Sequence, residues 1–300
     1  MWRAAELQRL LGLLAHRREL DHGKKEGQLV ADRSRGGWDV IVTPWHLDEH
    51  IPAFPVPASA TQPEWPVLPT GPVPARMSLL HQAAADAVVQ AARPLLLAGD
   101  CPTARAAAAG LQRRHHDLAV LWLDAHGDFN TPAITTSGYL GGMALAMLTG
   151  RTPGLFDDTL GLRPVPEVNV VLAGARDLDP AERDALLASQ VRRVPADPAA
   201  ITTALRHLGP APVYLHLDID VIDGAELSGA RFPSGPGPAL TQIEECLTAA
   251  CATASITAAS IACTWLPDHV SDQSTHETIT RLARALGTDL AWHSSTASLD

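Results

Sequence analysis

The stretches PLLLAGDC (94–101), VLWLDAHGD (120–128) and VYLHLDID (213–220) decide the fold of this 300-residue chain. Each begins as an apolar run that fits a buried parallel strand and ends in Asp, His or Cys. In the second and third stretches the polar side chains stand at alternate positions, so they point to one side if the chain stays extended. Because ligand sites of parallel sheets lie at the carboxyl ends of the strands, these side chains are expected to converge on one shared site.

Strand-like runs alternate with helical segments from about Trp38 onward. The predicted strands are 38–43, 94–98, 118–124, 168–174, 191–195, 213–219 and 256–265. The predicted helices are 76–92, 103–115, 180–189, 198–208, 241–253 and 274–287. Strands separated by helices imply right-handed crossovers and a parallel sheet that is covered on both faces. The predicted fold class is therefore α/β, a three-layer α/β/α arrangement with a mainly parallel sheet.

Two segments do not follow that alternation. Within residues 1–37, leucines at positions 7, 10, 11 and 14 mark one face of an amphipathic helix. This pattern predicts an N-terminal helical extension packed on the domain surface, with binding to a partner or a membrane surface as the alternative. Residues 52–74 hold eight prolines without periodicity, which predicts a surface loop inside one domain of residues 38–300.

The composition narrows the classes of partner. A formal net charge of −10 argues against nucleic acid and anionic membranes. No apolar run approaches the ~18–20 residues that span a bilayer, and the first residues lack the pattern of a signal peptide. The four cysteines have no CxxC spacing. These features together predict a cytoplasmic protein whose partner is a small molecule.

The polar side chains at the strand ends are candidate metal ligands. They are Cys101, Asp124, His126, Asp128, Asp218 and Asp220. Carboxylates crowded into one place repel one another unless a cation neutralises them. Carboxylates with an imidazole favour Mn²⁺, Mg²⁺ or Fe²⁺, whereas a thiolate favours softer ions such as Zn²⁺. Two ions bridged by carboxylates hold a hydroxide that is nucleophilic at neutral pH, so the predicted chemistry is hydrolysis at a planar carbon.

These residues stand in motifs that resemble those of the arginase/agmatinase ureohydrolases, over roughly residues 94–290. The string DAHGDFNTPAITTSGYLGGM (124–143) is similar to the family's DAHxDxN…SGxxHG block. AGDCPTA (98–104) resembles GGDHSxA, HLDIDVID (216–223) resembles SxDxDxxDP, and GARDLDPAE (174–182) resembles GxRDxDPxE. The resemblance implies an arginase-like fold and an enzyme that hydrolyses non-peptide C–N bonds in linear amidines.

The resemblance also implies which residues act. The metal ligands would be Cys101, Asp124, His126, Asp128, Asp218 and Asp220, holding two Mn²⁺ ions per chain. Asp124 and Asp218 would bridge the ions, and Asp128 and His126 would be catalytic, with Asp128 orienting the hydroxide. An amino-acid substrate would be held at its α-carboxylate and α-amino groups by Asn130, Ser137 and Asp179. Those residues favour an amino acid over agmatine, which has no carboxylate.

Three positions depart from the family pattern at the site. Cys101 replaces the first histidine ligand, Gly141 replaces the histidine that shuttles protons, and Thr264 replaces the glutamate that binds the guanidinium. The first change and the stretch GYLGGM resemble the branch that converts Nω-hydroxy-L-arginine to hydroxyurea and ornithine in antibiotic (D-cycloserine) biosynthesis. A hydroxyguanidine is less basic than a guanidine. A site without that histidine and that glutamate therefore suits it better than L-arginine.

The sequence leaves the oligomeric state undecided and two other functions open. Thr264 also fits the same metal centre acting on an amide or hydrazide-type amino acid. The other alternative is a non-catalytic, arginase-like binding protein. His269 and His276 are candidates to replace the missing proton shuttle, although both also fit solvated positions. His216 is expected to lie buried behind the metal ligands.

Overall fold

The computed structural model describes residues 37–292, without the side chain of Asp158. The helix predicted within residues 1–37 therefore lies outside the described residues. The strands are β1 (Asp39–Thr43), β2 (Trp45–His46), β3 (Glu49–His50), β4 (Pro94–Ala98), β5 (Ala119–Leu123), β6 (Val170–Ala173), β7 (Arg192–Val194), β8 (Val213–Asp218) and β9 (Ile256–Ala262). The helices are α1 (Val73–Gln90), α2 (Ala104–Gln112), α3 (Ala144–Leu148), α4 (Pro180–Leu187), α5 (Pro198–His207), α6 (Leu240–Thr253) and α7 (Gln273–Ala285).

Seven of these strands form one sheet in the order β1-β4-β9-β8-β5-β6-β7. Every pairing in that sheet is parallel. β4, β5 and β8 carry the three stretches that decide the fold, and β9 lies between β4 and β8. The carboxyl ends of these four neighbouring strands therefore lie side by side along one margin of the sheet.

The sheet is covered by helices on both faces. Alternate residues of β4 point to opposite sides, so that Leu95 and Leu97 belong to one buried apolar cluster and Leu96 belongs to another. Helices α5, α6 and α7 contribute to the first cluster, and α1 to α4 contribute to the second. Burial of a leucine side chain typically contributes about 1.5–3 kcal/mol, so unbroken apolar strands favour burial on both sides. The predicted three-layer α/β/α class with a mainly parallel sheet is confirmed.

The chain does not stay extended through the candidate metal ligands, so that premise of the sequence analysis is wrong. β5 ends at Leu123, and Asp128 adopts a left-handed backbone conformation with φ of 50°. A 3-10 turn over Ile219–Val221 follows the end of β8. The Asp218 carboxylate accepts the backbone N–H of Asp220 at 3.0 Å, a bond that competes with the strand ladder and turns the chain. These carboxylates are aimed by local turns.

Some elements were not predicted from the sequence. β2 and β3 pair as a short antiparallel ribbon, and α3 is a helix of five residues. The proline-rich segment contains isolated bridges only, until α1 begins at Val73. Thr61 within it exchanges backbone hydrogen bonds with Val40 and Val42 at 2.8 and 2.9 Å, which fastens the segment beside β1. Within residues 37–292, no helix has both the length and the apolar character needed to cross a membrane.

Close packing at Gly99 should control the position of the segment that carries Cys101. A Cβ at Gly99 would lie 2.8 Å from the Trp45 carbonyl carbon and 2.9 Å from Ile51 Cδ1, and the Trp45 contact is with backbone, which does not move aside easily. We expect Gly99→Ala to lower the free energy of unfolding by about 1–3 kcal/mol in urea titrations. At Gly142 an added Cβ meets nothing within 4 Å, so Gly142→Ala is the matched control. Equal stability of the two variants would contradict this packing.

Candidate metal centre

The four neighbouring strand ends form the walls of one cleft of about 230 Å³. Five of the six predicted metal ligands line this cleft, and the sixth, Asp124, is 1% exposed and contacts His126. All four predicted substrate residues, Asn130, Ser137, Asp179 and Thr264, line it as well. The structure therefore brings together residues that are up to 163 positions apart in the chain, from Cys101 to Thr264.

Cys101 and Asp218 form the first half of the centre. The Cys101 thiol donates to Asp218 Oδ2 at 2.7 Å, and the other carboxylate oxygen accepts the Thr264 hydroxyl at 2.8 Å. Burial raises the pKa of the Cys101 thiol well above its usual value, and the charges of Asp218 and Asp128 raise it further. Burial likewise raises the pKa of Asp218, with added repulsion from Asp220 and Asp124. Without a cation, this half of the centre therefore holds its protons.

Asp124, His126 and Asp220 form the second half. His126 Nδ1 lies 3.0 Å from Asp220 Oδ2 and 3.5 Å from Asp124 Oδ1. Burial opposes the charged ring, yet hydrogen bonds to Asp124 and Asp220 outweigh it and raise the pKa of His126 to about 12. One ligand atom from each of the three residues lies within 4.8 Å of the others, a spacing suited to a metal ion. In this state the imidazolium takes the place that a metal cation would fill.

One carboxylate oxygen of Asp128 lacks a partner in the described part of the chain. Its Oδ2 is buried and accepts no hydrogen bond from residues 37–292. Burial raises the pKa of Asp128 well above its usual value, with further contributions from the charges of Asp124 and Asp218. Buried carboxylate oxygens are normally satisfied by donors or metal ions. The orphaned oxygen, the crowded carboxylates and the available imidazole and thiol all fit the predicted binding of divalent ions.

The residues predicted to hold the substrate's amino-acid end line the same cleft. Asn130 Nδ2 donates to Asp179 Oδ2 at 3.3 Å, and the Thr136 hydroxyl donates to the same oxygen at 3.3 Å. The Asn130 side-chain oxygen is buried without a donor among the described residues. Ser137 is exposed, and its hydroxyl accepts the backbone N–H of Tyr139 at 3.2 Å. Asn130, Ser137 and Asp179 therefore present both hydrogen-bond donors and acceptors to a ligand.

Tyr139 occupies the space beside Gly141. A Cβ built on Gly141 would overlap the Tyr139 ring, and it would approach the Tyr139 hydroxyl oxygen to 2.5 Å. The hydroxyl lies 3.1 Å from His46 Nε2, and His46 Nδ1 lies 3.2 Å from the Gly99 carbonyl oxygen. The Tyr139 ring also packs against Phe232, with ring centroids 5.2 Å apart. The room that a longer side chain at position 141 would need is therefore filled by a residue two positions earlier.

Several residues at the cleft were not identified from the sequence. His46 carries no local signal, and although Tyr139 stands inside the quoted GYLGGM stretch, its contact with His46 spans 93 residues. Asp177 and Glu182 did have one, because both stand inside the quoted GARDLDPAE segment. Asp177 Oδ2 lies 3.9 Å from His126 Nε2, and Glu182 Oε1 accepts the backbone N–H of Phe129 at 2.8 Å.

The remaining histidines separate into two groups. His269 Nδ1 lies 2.8 Å from Asp272 Oδ2, and His276 Nδ1 lies 2.9 Å from the Asp272 carbonyl oxygen. Neither lines the cleft, so neither is placed to shuttle protons there. His216 is fully buried beside the centre, as expected, and burial lowers its pKa to about 3. Its ring is therefore neutral.

Comparison with known proteins agrees with this geometry. Residues 55–287 match the model of the arginase family. The N(omega)-hydroxy-L-arginine amidinohydrolase of Streptomyces lavendulae is 35% identical over 161 residues, which are 53% of this chain and 57% of that protein. The arginase of Staphylococcus aureus (strain COL) is 32% identical over 146 residues, which are 45% of this chain and 48% of that protein. The matches thus span about half the length of these curated relatives.

The fold has solved counterparts. The native structure of arginase from Bacillus caldovelox superposes with a TM-score of 0.67 over 84% of this chain and 99% of that one. At 20% identity, this likeness shows the fold alone. The match to the family model covers more than half of the chain and confirms the family predicted from the motifs. This chain belongs to the arginase family.

Proposed function

We propose that this protein is a ureohydrolase-type enzyme with two Mn²⁺ ions, which cleaves a C–N bond in an amidino or hydroxyguanidino amino acid. Nω-hydroxy-L-arginine or a close analogue is the preferred substrate, rather than L-arginine. The observation that carries the proposal is one cleft that is lined by carboxylates, an imidazole and a thiol together with Asn130, Ser137 and Asp179. Divalent ions bound at the base would neutralise the carboxylates and lower the pKa of a water molecule.

The chain's own residues position the reactants. Asp128 lines the cleft and has a free carboxylate oxygen, which would accept a hydrogen bond from the attacking water and orient it. His126 would give up its proton to become a neutral ligand, since an imidazolium has no lone pair to offer. Asn130, Ser137 and Asp179 would hold the α-carboxylate and α-amino groups. Binding at this end would place the amidino carbon over the base of the cleft.

The substrate's reacting end would meet a neutral wall. Thr264 is buried and directs its hydroxyl to Asp218, so the position offers no carboxylate to a guanidinium. Tyr139 closes the wall at Gly141 and is held by His46. Beside Thr264 and Gly141, a guanidinium would lose hydration without gaining an ionic partner at these two positions, which is costly, whereas a less basic hydroxyguanidine reaches the neutral form more readily. The Streptomyces lavendulae relative, named for hydroxyarginine, supports this choice.

The two alternatives are separable on physical grounds. An amide or hydrazide-type amino acid also suits a neutral wall, and Thr264 is the observation that keeps this substrate class in consideration. A non-catalytic binding protein is disfavoured, because a cluster of buried acidic groups is costly to keep without a cation. The preference therefore remains for an enzyme with an amidine-type substrate.

Turnover of a small panel of substrates tests the proposed reaction. We expect Nω-hydroxy-L-arginine to release ornithine and hydroxyurea with a kcat/KM at least about tenfold above that for L-arginine, given that general acid catalysis alone is typically worth ~10²–10⁴-fold. Agmatine, which has no α-carboxylate, should be a poorer substrate than L-arginine. The assays should score urea, hydroxyurea and free amine separately. If the protein releases amine from an amide or hydrazide and turns over no other substrate, the alternative substrate class is selected. If it binds metal ions but turns over none of the substrates, the result supports a binding protein.

Metal binding should displace protons from the centre. Cys101 and Asp218 have raised pKa values and His126 is held as an imidazolium, so Mn²⁺ must compete with protons on all three. We expect Mn²⁺ affinity to rise with pH and calorimetry in buffers of different ionisation enthalpy to report net proton release at pH 7. Asp220→Ala should retain one ion per chain, and Asp117→Ala, at an exposed residue, should retain two. Two tightly bound ions in Asp220→Ala would refute this ligand assignment.

Restoring the family's residues should succeed only when Tyr139 is removed. Gly141→His with Thr264→Glu places a histidine where the Tyr139 ring stands. We expect this double variant to remain poor with L-arginine, and the triple variant with Tyr139→Ala to exceed it by more than about tenfold in kcat/KM, part of the ~10²–10⁴-fold typical of general acid catalysis. Tyr139→Ala alone is the control and should not gain arginine turnover. Equal turnover by the double and triple variants would show that Tyr139 does not block the position.

A further inference from the structure

His216 is a fully buried histidine on β8 with one unused ring nitrogen. Its ring stacks on Trp122 with centroids 3.7 Å apart. Nδ1 lies 2.8 Å from the Ser260 hydroxyl oxygen, which in turn lies 2.6 Å from the Tyr214 hydroxyl oxygen. Nε2 is buried and has no hydrogen-bond partner in residues 37–292. A ring nitrogen of His216 lies within 4.8 Å of the Cys101 sulfur and of an Asp124 carboxylate oxygen.

Tyr214, Ser260 and His216 form a row of hydrogen-bonded side chains. The number of protons in this row bears on which ring nitrogen of His216 carries hydrogen. Tyr214 and Ser260 each own one hydroxyl proton, the neutral imidazole owns one more, and the row contains two hydrogen bonds. If Tyr214 donates to Ser260 and Ser260 donates to Nδ1, both hydroxyl protons are used. If Nδ1 donates to Ser260 instead, one of the two hydroxyl protons is left buried without an acceptor in the described structure. In the first arrangement the proton left over is the one on Nε2 of His216. Buried donors rarely stay unpaired, so the arrangement whose extra proton has an acceptor nearby is favoured, and the Cys101 sulfur beside His216 makes that the one with the proton on Nε2.

The Cys101 sulfur and an Asp124 oxygen are the candidate acceptors nearby, and the sulfur is the one without a donor among the described residues. Both oxygens of Asp124 already accept hydrogen bonds, from Trp122 Nε1 at 2.9 Å and from the His126 backbone N–H at 2.7 Å. The Cys101 sulfur donates to Asp218 and accepts no hydrogen bond from the described residues. A metal ion at Cys101 removes that thiol proton, because thiolate is the form that binds metal. The resulting thiolate is then left with one donor nearby, His216.

We propose that His216 is a positioning residue whose Nε2–H donates a hydrogen bond to the Cys101 sulfur once that sulfur binds a metal ion. The inference rests on the metal centre of the proposed function. A hydrogen bond to a metal-bound thiolate draws electron density from the sulfur, which makes it a weaker electron donor to the ion. Cys101 in GDC and His216 in HLDID, which stand where the quoted family motifs have His and Ser, thus act as one unit. His216 moderates the softer ligand that Cys101 introduces.

Absorption of the Co²⁺-loaded protein tests this bond without any substrate. Sulfur bound to Co²⁺ gives a near-ultraviolet charge-transfer band, and Cys101→Ser identifies that band by abolishing it. Removal of the donor in His216→Leu should move the band to longer wavelength, because the sulfur becomes a stronger donor. His216→Gln retains an amide N–H near the Nε2 position and should leave the band close to its original wavelength. His81→Leu, at a buried histidine of α1 that contacts Arg105, is the matched control and should leave it unchanged.

Cobalt stoichiometry separates the outcomes. We expect His216→Leu to keep the stoichiometry of the unmodified protein, with Co²⁺ affinity lowered by about 10–100-fold, as for other residues that support metal ligands. Loss of one ion in both His216→Leu and His216→Gln would overturn the proposal, because His216 would then be a ligand itself. An unmoved band in a folded, fully loaded His216→Leu would also overturn it. Should His216→Leu not fold, Ser260→Ala, which removes the donor to Nδ1 and frees the other tautomer, must shift the band in the same direction.

The same experiment distinguishes this inference from the proposed function. A band that survives in Cys101→Ser, or an unmodified protein that takes up no Co²⁺, would refute both the metal centre and the role of His216. A band that is lost in Cys101→Ser but does not move in His216→Leu would refute only the role of His216. Turnover is needed for neither reading.

Discussion

Repulsion among buried carboxylates is the constraint on which the rest of this structure depends. Asp124, Asp128, Asp218 and Asp220 are all at most 5% exposed and lie around one cleft. Burial and mutual repulsion raise the pKa values of the last three, and the imidazolium of His126 offsets part of the charge. An interior of low polarity magnifies such charges, so the arrangement is costly unless cations enter. Cations that bound here would therefore relieve this repulsion and stabilise the fold.

The sheet holds these carboxylates close together in space. β4, β9, β8 and β5 are neighbours, and their residues are buried on both faces, so their carboxyl ends hold fixed positions. Short turns then direct the carboxylates, as when Asp218 accepts the N–H of Asp220 and Asp124 accepts that of His126. The sheet is rigid, and the turns that follow its strands are stabilised by hydrogen bonds to the carboxylates themselves. Together they would keep the carboxylate oxygens within reach of a shared ion.

The residues that line the cleft differ in character, and this difference accounts for the proposed specificity. Asn130, Ser137 and Asp179 are polar and suit an amino-acid head group. The reacting end has lost the charged residues of the family pattern and is closed by Tyr139, Phe232 and a threonine that is already bonded to Asp218. Trp122 Nε1 donates a hydrogen bond to Asp124, one of the predicted metal ligands, and the Trp122 ring stacks on His216. The departures from the pattern therefore lie in one continuous region.

The sequence alone determined those strands and helices that follow from the pattern of neighbouring residues. Apolar runs such as PLLLA define the strands, and their order along the chain with helices between them dictates a parallel sheet. The candidate metal ligands were predicted from side chains that chemistry restricts to few uses, placed at strand ends. The prediction failed where the backbone turned, at Asp128 and after Asp218, because side-chain bonds to backbone N–H groups there replaced the strand geometry.

Only the tertiary structure decided which distant groups meet. Gly141 could be read from the sequence as a lost histidine, but that Tyr139 fills the vacated room, held by His46, depends on contacts across 93 residues. Thr264 could be read as a lost glutamate, but its bond to Asp218 depends on β9 lying beside β8. The row from Tyr214 through Ser260 to His216 likewise crosses two strands. Periodicity and motifs specify what each segment can form, whereas packing specifies which side chains share a volume, and shared volume sets the chemistry of this cleft.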